Sequence, residues 1–188
     1  MNKYKLIAII GASGCGKDTI LKNVLVASDD TIHKVISCTT RPIREGEEDG
    51  VHYHYLTNEQ FANRILDLSM IEAASFNDWF YGTCIDALDV EKVNIGIFNP
   101  AAVEILNSRD DLDLYTVYID TSEKNRLIRQ LQRVDNPDID EIIRRLKTDR
   151  EDFLDLDFKY LTFTNNEIGD DETIAKRILT LARVVHKG

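Results

Sequence analysis

Residues Tyr4 to Thr19 read YKLIAIIGASGCGKDT. The first seven form a short, almost continuous apolar run, as expected of a central parallel strand covered on both faces. Gly11 to Asp18 then follow the pattern G-x-x-x-x-G-K-[S/T], except that Asp18 stands where a hydroxyl is usual. A helix is expected to start at Lys17 and run to about Ala27. Strand, glycine loop and helix in this order form a phosphate cradle. The glycines let successive N–H groups turn inward, the helix N-terminus adds positive potential, and Lys17 reaches outer phosphates as a point charge. Gly11, Ala12, Ser13, Gly14, Cys15, Gly16, Lys17, Asp18 and Thr19 are therefore the candidate ATP-binding residues.

Asp18 bears on the metal. A carboxylate is a better hard-oxygen ligand for Mg²⁺ than a hydroxyl, so Asp18 is the candidate metal ligand. It also sets a negative charge near negative phosphates. The alternative is that Asp18 complements the helix dipole and Thr19, about 100° around the axis, serves the ion.

The rest of the chain repeats the alternation of strand and helix. Strands are expected over 35–38, 51–57, 92–98, 114–119 and 160–164. Thr57 and Gln60 mark a helix start by the capping-box spacing. Further helices are expected over 121–132, 139–151 and 171–186, with Asp135 to Asp138 (DNPD) as a break. The 188 residues suffice for one well-buried core, and the fold class is α/β with a mainly parallel sheet. A net charge of −10 argues against nucleic-acid and anionic-membrane partners, so a polyanionic ligand must meet a local basic patch. Apolar runs are shorter than the ~20 residues that cross a bilayer. The run at the N-terminus reads as a buried strand and not a leader. The three cysteines, Cys15, Cys38 and Cys84, are widely spaced and read as reduced thiols of a cytoplasmic protein. Cys15, at a helix N-terminus, raises the question of oxidation sensitivity.

Two further stretches carry a resemblance. ISCTTRPIREGEEDGVHYHY (36–55) is similar to the guanylate kinase pattern S-x-T-T-R-x-x-R-x-G-E-x-x-G-x-x-Y-x-F. IEAASFNDWFYGT (71–83) resembles the E-x-A-x-x-x-x-x-Y-Y-G-T/S of the same family. Their order and spacing behind the loop also agree, over most of the chain. The resemblance implies a P-loop NTPase-type parallel sheet flanked by helices, with a small mixed α/β acceptor-binding subdomain and a helical lid. Its parts would be a core (1–33, 86–121, 158–188), an acceptor-binding part (34–85) and a lid (122–157). It implies phosphoryl transfer from ATP to GMP or dGMP with Mg²⁺, in a monomer or homodimer.

The same resemblance assigns roles. Arg41, Arg44, Tyr53 and Tyr81 match residues that hold the acceptor phosphate, which suits planar guanidinium donors. Glu72 matches the acceptor of the guanine N1–H and amine, Ser37 the residue facing O6, and Thr83, next to Gly82, the one near the amine. Arg133 and Arg145 match arginines at the transferring phosphoryl group and join Lys17 as candidate catalytic residues. Asn165 matches an Asn near the donor adenine. A plainer reading pairs the arginines of 122–157 with Glu123, Asp140, Glu141 and Asp149.

One departure stands out. The family's acidic pair D-x-D falls on Gly96 and Phe98 in NIGIFNPAA (94–102). Asp18 is expected to supply the charge missing there. Two other readings stay open: a kinase of another phosphorylated acceptor such as ribose 1,5-bisphosphate, since G-K-D occurs in such enzymes, and a binding module of the same fold.

Overall fold

The computed structural model describes residues 3–44, 46–76, 79–133 and 137–187. Its centre is β1 (Tyr4–Ile10), flanked in parallel by β7 (Val93–Ile97) and β8 (Leu112–Asp120). Outside these lie β2 (Ile32–Lys34) and β9 (Leu161–Thr164), giving the parallel order β2-β7-β1-β8-β9.

The apolar run of β1 is continuous because it serves two cores at once. Ile7 and Ile9 pack among Ile20 and Val24 of α1 (Lys17–Ala27) and Ile174 and Ile178 of α6 (Asp170–Lys187). Leu6, Ala8 and Ile10 face the other way, toward Val103 and Leu106 of α3 (Pro100–Asn107). Asn99 caps α3 by accepting from Ala102 N–H at 2.7 Å, and Pro100 fills the first helical position. This helix was not among the expected elements.

A second sheet has the order β4-β3-β6-β5, from β4 (His54–Tyr55), β3 (Cys38–Thr39), β6 (Trp79–Cys84) and β5 (Met70–Phe76). It is mixed: β3 runs parallel to β4 but antiparallel to β6. α2 (Asn58–Leu66) begins at the expected capping box, with Gln60 N–H on Thr57 Oγ1 at 3.1 Å and Thr57 N–H on Gln60 Oε1 at 2.8 Å. It lays Phe61 on the sheet beside Cys38 and Cys84.

The expected strand 35–38 is divided: its neighbours join different sheets, and the chain crosses between them at Val35–Ser37. The expected strand 51–57 shrinks to His54–Tyr55, because the turn before it spends its hydrogen bonds locally. Val51 and His52 both donate to Glu48 O. α4 (Glu123–Leu131) and α5 (Ile139–Asp152) form the arginine-bearing pair. The segment expected to break them, 135–138, lies partly outside the described residues. No described helix is long and apolar enough to cross a membrane.

Candidate active site

The glycine loop leaves β1 at Gly11 and enters α1 at Lys17. Gly14 and Gly16 have φ of 80° and 92°, a left-handed backbone that glycine tolerates. Space demands glycine as well: a Cβ on Gly14 would lie 2.7 Å from Arg126 O, and one on Gly16 2.6 Å from Asn165 Nδ2. No side chain caps α1, so its first N–H groups remain available to an anion. Cys15 is fully buried in the core between α1 and the sheet. Its thiol therefore packs in the core and is closed to solvent.

Asn165 is placed differently from an adenine contact. It is buried, and its Nδ2 donates to Cys15 O at 2.8 Å. Thr121 Oγ1 donates to Asn165 O at 3.0 Å, and Arg129 Nη2 to the same oxygen at 3.1 Å. Arg129 Nη1 also reaches Cys15 O at 3.3 Å. These groups brace the loop from behind. The placement follows from β9 ending beside β8, which carries residue 165 to the underside of the cradle.

A cleft of about 560 Å³ opens between the two sheets and α5. Gly11, Ser13 and Lys17 line one end; Ser37, Glu72 and Tyr81 line the other. Arg44, Tyr53, Arg144 and Arg145 stand between. Residues separated by more than a hundred positions thus share one cavity. Burial holds the Arg44 pKa below its usual value, and the charges of Arg41 and Arg145 depress it further. Like charges that converge on one cleft favour an anion there. Burial, with the nearby Tyr81 and Asp18, pushes the Tyr53 phenol up to about 12, so it stays a proton donor.

Arg41 departs from its expected place. Only 4% exposed, it lines neither this cleft nor the broader one beside it. Its guanidinium donates to Pro42 O at 2.7 Å and to Glu47 Oε1 at 2.9 Å, and stands 5.7 Å from the ring centres of Tyr53 and Tyr55. Glu47 also accepts from Arg44 N–H and Tyr55 OH. Burial disfavours the Glu47 charge, yet Arg41 and these donors outweigh it and hold the pKa near 2. The near carboxylate claims Arg41, which shapes the loop that carries Arg44.

Glu72 lies on β5 opposite Thr83 of β6. It is 6% exposed, and burial raises its pKa to about 7 against the opposing hydrogen bond from Thr83. Thr83 Oγ1 donates to Glu72 Oε1 at 2.6 Å, and Ser37 Oγ lies 2.8 Å from Thr83 Oγ1. Thr83 has one proton; with it on Glu72, Ser37 donates to Thr83. Thr83 is fully buried behind the carboxylate, so it positions Glu72 and does not face the cleft. A carboxylate has room for about four hydrogen bonds, and the described residues supply one. Glu72 is thus a buried acceptor awaiting donors from the cleft.

The arginine pairings match the plainer sequence reading. Arg150 binds Glu123, Arg126 binds Asp149, and Glu141 holds both Arg144 and Arg145. Asp140 has no ion pair among the described residues. Arg133 is exposed at the end of α4 and lines the broader cleft with Asp18, Thr19 and Arg145. Sequence reading missed Trp79, which borders both clefts, and Phe98. Phe98 is buried and folds over Gly96: a Cβ there would meet its ring at 2.9 Å. The expected acidic pair is replaced by a glycine and the ring that needs it.

Among the described residues, no group of three or more His, Cys, Asp or Glu could hold a metal. Asn99 spends its side-chain oxygen on α3. Asp18 and Thr19, both exposed, stand in the first turn of α1 directly after the loop and line the broader cleft. One or two protein oxygens suit Mg²⁺, which keeps its waters and takes the rest from phosphates. The set therefore fits an ion that arrives with a nucleotide.

A parallel sheet, a glycine loop opening a helix, and a cleft that brings Lys17, Arg44 and Arg145 to face a second sheet define a P-loop nucleotide-binding protein of the phosphoryl-transfer class. The guanylate kinase family model matches residues 3–182, and the chain belongs to that family. It is 29% identical over 188 residues to a guanylate kinase of Campylobacter jejuni (strain RM1221), covering 97% of this chain and 91% of the relative. It is 33% identical over 187 residues to a guanylate kinase of Helicobacter hepaticus (strain ATCC 51449 / 3B1), covering 95% and 89%. The fold is similar to the crystal structure of guanylate kinase from Anaplasma phagocytophilum, with a TM-score of 0.69, 21% identity and coverage of 99% and 88%.

Proposed function

We propose that the protein transfers the γ-phosphoryl group of ATP to GMP or dGMP, giving ADP and the diphosphate. The observation that carries this reading is Glu72: a buried carboxylate with one hydrogen bond, in a cleft that also holds Lys17 and Arg44. Guanine offers N1–H and an exocyclic amine side by side, which satisfy two oxygen lone pairs at once. Adenine, cytosine and uracil do not, and a buried unpaired charge costs several kcal/mol. Thr83 and Ser37 hold the carboxylate in place for that pairing. Arg44, Tyr53 and Tyr81 grip the acceptor phosphate, and Arg41 acts through Glu47 on the loop that presents Arg44.

Lys17 and the loop N–H groups hold the donor phosphates. Arg133 and Arg145 neutralise the moving group, which needs positioning and charge compensation more than a base. Asp18 would hold an Mg²⁺ that arrives with ATP, with Thr19 as the alternative ligand, and the ion would supply screening of the donor oxygens; Asp18 would then stand in for the acids absent at Gly96 and Phe98. The α4–α5 pair acts as a lid that excludes water. A ribose 1,5-bisphosphate acceptor would leave Glu72 unpaired, so the geometry favours the guanine nucleotide. A coupled ADP-release assay across the nucleoside monophosphates and ribose 1,5-bisphosphate tests this. Turnover with GMP and dGMP alone is expected; equal turnover with AMP or with the sugar bisphosphate contradicts it.

A further inference from the structure

Asp149 sits in the third turn of α5 and accepts three hydrogen bonds. Ser13 N–H reaches Oδ2 at 2.9 Å, Ser13 Oγ reaches Oδ1 at 3.3 Å, and Arg126 Nη1 reaches Oδ2 at 3.1 Å. The side chains of Arg126 and Asp149 are only 9% and 11% exposed. Gln130 of α4 donates to Ser13 O at 3.4 Å, and α4 packs directly on Gly14. Asp149 thus lines the same end of the cleft as Gly11, Ser13 and Lys17.

One oxygen that accepts from a loop amide and from a guanidinium has the surroundings of a phosphate oxygen. We propose that Asp149 Oδ2 occupies, in the free protein, a phosphate-oxygen position of the donor site, so that ATP must displace Asp149 and then inherits Ser13 N–H and Arg126. This rests on the donor reading of the loop given above. It adds Arg126 to the donor-binding residues and makes Asp149 an internal competitor.

The electrostatics support displacement. Two like charges held within a few ångströms in a partly buried site repel, so carboxylate and phosphate do not share it. A buried ion pair is also no necessity for stability, since apolar replacements are often neutral. Arg145 lies one helical turn before Asp149 on the same helix. Releasing Asp149 from Ser13 therefore removes one tie between the loop and the helix that carries Arg145, which links donor arrival to the position of a residue proposed to act at the transferring group.

The test is calorimetric binding of the β,γ-imido analogue of ATP with Mg²⁺, without acceptor, to the parent, to Asp149→Asn and to Lys17→Ala. Asp149→Asn is expected to bind about tenfold more tightly, because the competing charge is gone while Arg126 stays. A brace lost from the loop would have the opposite sign. With binding lost in Lys17→Ala, an Asp149→Asn affinity equal to or weaker than the parent's overturns the competitor alone. A Lys17→Ala protein that binds as the parent does overturns the donor site and the competitor with it. Should Asp149→Asn not fold, a structure of the parent with the analogue decides. Ser13 N–H on a phosphate oxygen, with Asp149 out of reach, supports the proposal; Asp149 still accepting from Ser13 overturns it.

Discussion

The two ends of the cleft are built by opposite means for the anions proposed to bind there. The donor end uses backbone: loop N–H groups, an uncapped helix start and one lysine. The acceptor end uses side chains from two strands and from the segments that flank β3 and β4: Glu72 and Tyr81 from the former, Ser37, Arg44 and Tyr53 from the latter. A backbone cradle reads phosphate and nothing else, so it serves any nucleoside triphosphate. A side-chain pocket reads a base, but each of its groups must be desolvated and positioned. Glu72 shows the consequence, with a pKa lifted by burial to about 7. The general end is inexpensive to build and the selective end is strained electrostatically.

That contrast is open to attack at each end. The largest effect is expected at the donor end: Lys17→Ala should lower turnover by about a thousandfold or more, roughly 4 kcal/mol of lost charge stabilisation. GMP affinity measured by calorimetry should stay within about threefold, since its ligands lie on the other sheet. A parallel loss of GMP binding would mean that the two ends are one site. Next, Arg44→Ala should raise the KM for GMP about a hundredfold, as expected for a lost charge-assisted pair to phosphate, with little change in the KM for ATP.

A smaller effect comes from pH. GMP donors need the ionised Glu72, and the folded-state pKa is about 7, above the ordinary 4.5. Acceptor affinity should therefore be full above pH 8 and about tenfold lower at pH 6, when measured with the 2-amino group present. Stability runs the other way. The unfolded chain ionises Glu72 near pH 4.5, so its burial lowers stability progressively from pH 4.5 to 7 and by roughly 3 kcal/mol above that. Glu72→Gln should accordingly melt higher than the parent at pH 8, with the difference gone below pH 4.5. The smallest effect is expected at Asp18. Asp18→Ser should weaken the Mg²⁺ dependence of ATP binding by a few fold, and adding Phe98→Asp should recover part of it. Unchanged Mg²⁺ dependence would return Asp18 to a helix-dipole role.

The donor end was legible from the chain because it is local. A seven-residue strand with one lysine among its apolar residues, three glycines and Lys17 follow one another within fourteen positions, and backbone conformation follows from them directly. The same holds for the capping box at Thr57 and for the pairing of Glu141 with Arg144 and Arg145, which helical spacing alone predicts. The acceptor end was legible only through its resemblance to a family pattern, since nothing local joins Ser37 to Thr83 or Glu72. The pattern does not announce that Glu47, six residues later, pairs with Arg41. Nor does it announce that Asn165, at the end of β9, donates to the loop at Cys15 O. β5 and β6 went unrecognised: they pair antiparallel with each other at one side of a mixed sheet, and polar residues such as Glu72, Ser75 and Thr83 interrupt their apolar pattern. The contact between Asp149 and Ser13 joins positions 136 residues apart and leaves no mark on sequence spacing.

The account depends most on Glu72 reading the base. Calorimetric titration of GMP into the parent and into Glu72→Gln at pH 8, beside inosine monophosphate, which lacks the 2-amino group, tests this directly. The expected result is GMP affinity reduced about a thousandfold in the variant, near 4 kcal/mol, with the parent already preferring GMP to the inosine nucleotide. GMP bound equally well by both proteins, or a parent indifferent to the 2-amino group, would contradict it.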